Sequence, residues 1–255
     1  MALFLPPLFV NRIKNILPAN EVENFLNQYQ EDFTPSLRVN LLKTSLQQFQ
    51  EIFSFCPFDN PVPWLNHGFF ITKKSPFTKT PFYHAGLFYI QEASSMLPPL
   101  LLDPKPQEKV LDVCASPGSK TTQIITMMQN QGLLIANEIR QDRIGRLVEN
   151  VIRWGAKNTV VTNQASSCFT PLEEFFDKIL VDAPCSGEGM FKKDPQTLAL
   201  WSLKNIEFCA ATQKQILRDV IPALKVGGTL VYSTCTFAPE ENEEIIDWIL
   251  KTYPQ

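Results

Sequence analysis

Two cysteines fifty positions apart, each just past an apolar run of strand character, are the residues best placed to do chemistry. Cys185 stands in Asp182-Ala183-Pro184-Cys185-Ser186-Gly187 after Lys178-Ile179-Leu180-Val181, and Cys235 in Ser233-Thr234-Cys235-Thr236 after Thr229-Leu230-Val231-Tyr232. In an α/β sheet both thiols fall at the carboxyl ends of strands, where open parallel sheets hold their ligands. A thiolate is the side chain able at neutral pH to add to C6 of a cytosine and so activate C5 for methylation. Asp182 can meet the ring nitrogen and exocyclic amine of such a base. One thiol for attack leaves the second for another role. The competing reading, two inert cysteines buried in a packed sheet, is common for lone cysteines. Two thiols in matching positions weigh against it.

A second constellation lies upstream. Asp112-Val113 ends a strand and leads through Cys114, Ala115, Ser116, Pro117 and Gly118 to Ser119-Lys120-Thr121 at the start of a helix. Small residues let a ligand approach this backbone, and the helix N-terminus offers amide donors to a carboxylate. The turn is neither a Walker A loop nor GxGxxG, so a P-loop NTPase is excluded and a phosphate ligand is disfavoured. About twenty residues on, Asn137-Glu138 closes the next strand, where a carboxylate accepts both hydroxyls of a ribose. Alone, Glu138 reads equally well as an acid favoured by a helix dipole. Together, turn and acid point to an adenosine ligand without a diphosphate, a description that S-adenosyl-L-methionine fits.

The elements that must position these residues alternate regularly after Asp103-Pro104-Lys105-Pro106. Strands are expected at Lys109 to Val113, Leu133 to Asn137, Thr159 to Thr162, Lys178 to Asp182 and Thr229 to Ser233. Helices are expected at Lys120 to Met128, Gln141 to Trp154, Ile206 to Leu224 and Glu240 to Lys251. Such alternation predicts an α/β fold with a doubly wound, mainly parallel, Rossmann-like sheet. Upstream, the pattern from Val10 to about Gln50 is helical, with a start signal at Pro18-Ala19-Asn20. Ser36 to Asn40 reads as a short strand, the proline-rich stretch Phe55 to Pro81 as strands and turns, and Tyr89 to Leu101 as a helix ended by Pro98-Pro99 or just before. The division is a smaller α+β N-terminal subdomain over 1–104 and a catalytic domain over 105–255.

Bulk properties narrow the partners. At 255 residues the chain can bury a full core without help from metals or disulfides. Its six cysteines form no CxxC, so no metal site is expected, and reduced thiols fit the cytoplasm. No run approaches the roughly 18 apolar residues of a membrane helix, and the opening segment lacks the basic region of a signal peptide. A net charge of −3 advertises no global affinity for nucleic acid. Any RNA contact must be local, with Lys73-Lys74, Lys79 and Lys192-Lys193 as the clusters to watch. Short lysine pairs more often belong to ordinary solvated surface.

These segments resemble the Nol/Nop/Sun family of RNA cytosine-5 methyltransferases along nearly the whole chain. The resemblance is carried by Asp112 to Thr121, Asn137-Glu138, Asp182 to Gly189 and Tyr232 to Glu243, and upstream by Ser36 to Asn40 and Tyr89 to Met96. Ser186 to Met190 followed by Lys193-Asp194-Pro195 is most similar to the bacterial branch that modifies small-subunit ribosomal RNA. The resemblance implies that Cys235 is the nucleophile and Cys185 the thiol associated with product release, with Asp182 and Lys120 completing the catalytic set. It implies that Cys114 to Lys120 hold the methionine end of S-adenosyl-L-methionine, that Glu138 holds the ribose, and that Asp182 lies between cofactor and cytosine. RNA is the implied partner, bound in part by the N-terminal subdomain. Two departures stand out. Ala165 occupies the position near the end of the third strand where the family usually has an adenine-contacting Asp, with Gln164 and Ser166 as substitutes. The sheet also lacks its last two strands, because the sequence stops at Gln255, so the catalytic domain reads as C-terminally truncated. The rival readings are a transfer RNA enzyme of the same family and a catalytically impaired RNA-binding remnant.

Overall fold

Continuous apolar runs bounded by turn residues form strands buried on both faces. The computed structural model describes residues 3–54, 56, 58–72 and 77–253, so the Lys73-Lys74 pair lies outside the described residues. The chain forms two compact units that interleave in sequence, one of Thr34–Ala183 with Lys214–Ser233 and one of Met1–Phe33 with Pro184–Gln213 and Thr234–Gln255.

The first unit holds both sheets. Strands β1 (Ser36–Val39), β2 (Pro61–Val62), β3 (Leu65–Phe70) and β4 (Phe88–Ile90) form an antiparallel sheet in the order β2-β3-β1-β4. A cluster of Phe49, Phe53, Phe69, Phe77 and Phe88 packs there. Strands β5 (Lys109–Asp112), β6 (Leu133–Asn137), β7 (Thr159–Thr162), β8 (Phe176–Asp182) and β9 (Leu224–Ser233) are all parallel, in the order β7-β6-β5-β8-β9. Val110, Leu111, Leu134, Ala136, Ile179, Leu180 and Val181 are fully buried in it. This is the expected Rossmann-like sheet. Its order reverses at β5, and a crevice opens at the carboxyl ends of strands beside such a reversal.

The main departures from the sequence reading have local causes. Strand β9 begins at Leu224 rather than Thr229, because Gly227-Gly228, which looks like a turn, runs inside the strand with Gly227 at φ 76°. The helix expected over Tyr89 to Leu101 is not formed. Its start is β4, followed by a 3-10 turn at Ser94–Met96 and a helix at Leu97–Leu102 that contains both prolines in its first turn. Proline is tolerated where an N–H has no intrahelical partner, so Pro98-Pro99 open this helix instead of closing one. Helix Gln141–Trp154 has the expected bounds and ends at Gly155, left-handed at φ 87°.

In the second unit, Pro18 caps helix Ala19–Asn27, which follows helix Pro7–Ile16. Phe9 meets Tyr29, Phe191 and Trp201 edge-on with ring centroids 5.3 to 5.7 Å away, at the centre of a cluster with Ile13, Ile206 and Ala238. Such pairs add roughly 0.5–1.5 kcal/mol beyond area burial. Lys192 donates to Gln28 O and Lys193 lies over the Phe33 ring, so this lysine pair is engaged within its own unit. Among the described residues no helix is long and apolar enough to cross a membrane.

Candidate active site

The turn after β5 is held by its own backbone. Ala115 N donates to Asn137 O at 2.8 Å, Gly118 N donates to Ala115 O at 2.7 Å, and Gly118 caps helix Ser119–Met127 at φ 104°. That positive φ calls for glycine, and a Cβ there would lie 3.3 Å from Leu147 Cδ1. Asn137 ties the ends of three strands, donating to Val113 O and Gln164 O. Glu138 is 3% exposed, accepts Arg140 N at 2.9 Å and lies 3.6 Å from Arg143 Nη1. Arg143 also donates to Ser116 O at 2.7 Å and so links the turn to the acid.

At the end of β8, Asp182 accepts from Lys120 Nζ at 2.6 Å and from Ser233 Oγ at 2.8 Å, one bond on each oxygen. Register places Asp182 opposite Ser233 on β9, which explains the second bond. Lys120, Asp182, Glu138 and the turn from Cys114 to Ser119 all belong to the first unit. Cys114 sits among acids: burial first, then Asp112, Asp182 and Glu138, push its thiol well above the ordinary range. It is a neutral side chain, not a nucleophile.

Three contributors escaped the sequence reading: Arg143, Ser233 and the side chain of Asp112. Asp112 is fully buried. Thr121 Oγ1 donates to its Oδ2 at 2.7 Å, while Oδ1 is buried with no partner in the protein. Desolvation, opposed by the Thr121 bond, raises its carboxyl to about 7. The available signal was an acid closing an apolar strand. An orphaned carboxylate oxygen, with a second buried acid, Glu138, at the end of the next strand, fits a ligand with an ammonium group and a ribose. Among the described residues no group of three His, Cys, Asp or Glu could hold a metal ion.

The raised carboxyl of Asp112 makes a testable pH dependence. Its folded value lies above its unfolded value, so the folded chain binds the extra proton between about pH 4 and 7 and loses stability as pH rises through that window. Asp112→Asn is expected to remove this slope, roughly 1.4 kcal/mol per pH unit at its steepest. Urea melts at pH 4.5 and 7.5 check it, and an unchanged difference between the two would show that Asp112 titrates normally.

The thiols belong to the second unit. Cys185 Sγ and Cys235 Sγ are 3.2 Å apart, and Cys235 N donates to Cys185 Sγ at 3.3 Å. The loops that carry them also share a Ser186–Thr236 hydroxyl bond of 2.8 Å and a bond from Gly189 N to Cys235 O of 2.8 Å. Cys185 is half-buried and its thiol is raised, first by its hydrogen bond with Cys235 and then by desolvation. Cys235 is exposed. Cys209, also in this unit, is buried and pushed up to about 11 by desolvation. Ala165 stands exposed before the turn Ser166–Phe169. Ser166 is committed to Asp219 Oδ2 at 2.6 Å, while Gln164 accepts from Cys168 Sγ.

Residues 99–255 match the model of 16S rRNA methyltransferase RsmB/F, and residues 5–93 that of the N-terminal domain of 16S rRNA methyltransferase RsmF. The chain belongs to the RsmB/F methyltransferase family. It is 42% identical over 98% of its length to ribosomal RNA small subunit methyltransferase F of Escherichia coli O127:H6, and 42% identical over its full length to that of Citrobacter koseri. It spans about half of those relatives, 54% and 55% of their lengths. A solved methyltransferase homolog protein from Pyrococcus horikoshii is 36% identical with a TM-score of 0.86, the match covering 98% of this chain and 80% of that one.

Proposed function

We propose that the chain is an S-adenosyl-L-methionine-dependent RNA cytosine-C5 methyltransferase acting on small-subunit ribosomal RNA in the cytoplasm. The observation that carries this reading is the pair of thiols 3.2 Å apart on the loops of Cys185 and Cys235, in a chain of this family. Asp112 and the turn Cys114 to Lys120 would hold the methionine end of the cofactor, and Glu138 the ribose. When bound, that cofactor supplies an electrophilic methyl group. Residues 1–104 take part in binding the RNA, whose target base must be unpaired or flipped out to be reached.

Cys235 gives up its thiol proton to solvent and its sulfur bonds to C6, shifting the C5–C6 π electrons so that electron density rises at C5. Once C5 carries the methyl group, its proton passes to solvent water, the C–H electron pair re-forms the C5–C6 double bond, and the Cys235–C6 bond breaks with its electron pair returning to sulfur. One methyl has then replaced one proton. Cys185 assists the release step. It is suited to that role by position, its Sγ lying 3.2 Å from Cys235 Sγ, within reach to hand a proton to the departing Cys235 thiolate. Asp182, fixed by Lys120 and Ser233, has the carboxylate chemistry to meet the ring nitrogen and exocyclic amine of a cytosine. Incubating the full chain with methyl-labelled cofactor and small-subunit ribosomal RNA, then mapping the label, tests the reading. Label on cytosine C5 is expected; its absence from both naked RNA and assembled subunits would sink it.

The impaired-remnant reading draws on Ala165 and is separated by cofactor binding alone. Calorimetry is expected to detect binding in the unmodified chain and a loss of roughly 1–3 kcal/mol in Glu138→Ala, the scale of an unmade charge-assisted bond. Ala165→Asp is expected to tighten binding by roughly 0.5–1.5 kcal/mol. Unchanged affinity in Glu138→Ala removes that acid from the site, and weaker binding in Ala165→Asp puts the adenine elsewhere.

A further inference from the structure

Each thiol-bearing loop carries a buried carboxylate that closes on the other loop. Glu188, three residues past Cys185, is 1% exposed and accepts Phe237 N of the Cys235 loop at 2.9 Å, with Trp201 Nε1 on its other oxygen at 3.0 Å. Glu241, six residues past Cys235, is fully buried and accepts Ser186 N of the Cys185 loop at 3.1 and 3.3 Å. Gln213 Nε2 donates to the same Glu241 at 2.8 Å and to Pro184 O at 3.0 Å, bracing the start of the Cys185 loop. Tyr29 Oη donates to Glu188 O at 3.1 Å and fixes the backbone from which that side chain reaches out.

Burying a carboxylate is costly, and apolar side chains of similar volume fill such space more cheaply. What a carboxylate adds is a pair of fixed acceptors that hold N–H groups by short, charge-assisted bonds. Here the donors are a backbone amide of the opposite loop in both cases, together with an indole and a primary amide. The exchange is reciprocal, so neither loop can shift along the other without breaking a buried bond. Gly189 leaves no slack: a Cβ on it would stand 3.0 Å from Cys235 O.

We propose that Glu188 and Glu241 form a reciprocal clamp that sets the separation of Cys185 and Cys235, and are positioning residues of the thiol pair. The use of that pair in methyl transfer rests on the function proposed above; the clamp itself is a claim about thiol geometry and is read without RNA or cofactor. The probe is oxidised glutathione. Cys235 attacks it and releases one glutathione thiol, and Cys185 then displaces the second, leaving an intramolecular disulfide. Equilibrating the full chain in glutathione buffers and mapping the linked peptides by mass spectrometry gives the effective concentration of one thiol at the other.

Glu188→Ala and Glu241→Ala are each expected to lower this effective concentration at least tenfold, with cofactor affinity unchanged. Glu188→Gln and Glu241→Gln keep only one of the two acceptor oxygens and are expected to fall between the parent chain and the alanine variants. If the alanine variants do not fold, Glu188→Asp and Glu241→Asp keep the charge but shorten the reach, and the same tenfold fall is expected. Thr236→Val loses the hydroxyl bond but keeps both carboxylates, and is expected to stay within threefold. Wild-type effective concentration in the alanine or aspartate variants overturns the clamp, as does a wild-type chain that forms no Cys185–Cys235 disulfide. Separated thiols in the variants of a chain that never methylates RNA overturn the proposed function alone.

Discussion

Cys235→Ala is expected to lose methyl transfer by on the order of 10⁴-fold or more, the scale for removing a covalent nucleophile, and to leave no RNA adduct on a denaturing gel. The other thiols of its unit are poorly placed to replace it: Cys209 is buried and held near 11, and burial still raises Cys185 once its bond to Cys235 is lost. Cys185→Ala is expected to show the opposite phenotype. Attack and methyl transfer proceed once, release fails, and a protein and RNA adduct accumulates that survives denaturation. The two variants are compared on one gel with labelled RNA and cofactor present. An adduct from Cys235→Ala and none from Cys185→Ala would invert the assignment, and no adduct from either would leave release without a thiol.

Asp182→Asn is expected to reduce the single-turnover rate by roughly 10²- to 10³-fold, within the range for a group that handles a proton or orients the reacting base. The fold should hold, because the β8–β9 register runs through backbone bonds and Asn can still accept from Ser233 Oγ. The Lys120 ammonium loses a charged partner in a half-buried setting, so Lys120→Met in the Asp182→Asn background should add little to the loss. Rapid-quench measurement of methyl transfer with both variants and the double variant checks this. Equal rates for Asp182→Asn and the parent chain would reduce Asp182 to a structural partner of Lys120.

The parallel sheet was legible because its strands need no partner to be recognised. Val110-Leu111, Leu134 to Ala136 and Ile179 to Val181 are apolar without alternation, and each run is bounded by turn residues, the signature of strands covered on both faces. Helix Gln141–Trp154 was equally plain, since its period and its terminal glycine agree. Leu97–Leu102 was not, because the same two prolines stop a helix at its end and start one at its first turn, and only the chain's path decides which. The start of β9 was hidden for a similar reason, as glycines such as Gly227-Gly228 fit both a turn and a distorted strand start.

The sequence by itself determined which residue types end which strands, and therefore that two thiols, an aspartate and a small-residue turn all lie at carboxyl ends. That follows from short-range rules, periodicity and turn chemistry, which act over a few residues. Tertiary structure alone decided how those residues are held. The bonds of Ser233 to Asp182, Arg143 to Ser116 and Glu241 to Ser186 join positions 27 to 55 residues apart. Hydrogen bonds of that span depend on strand order and loop path, and leave no periodic trace in the chain. The same holds for the orphaned oxygen of Asp112 and for the cluster around Phe9, which gathers residues from both ends of the sequence. Burial is a property of the packed molecule, and it raises the Asp112 carboxyl and the Cys114 thiol, as the bond to Cys235 and then burial raise Cys185, which no reading of residue types could have supplied.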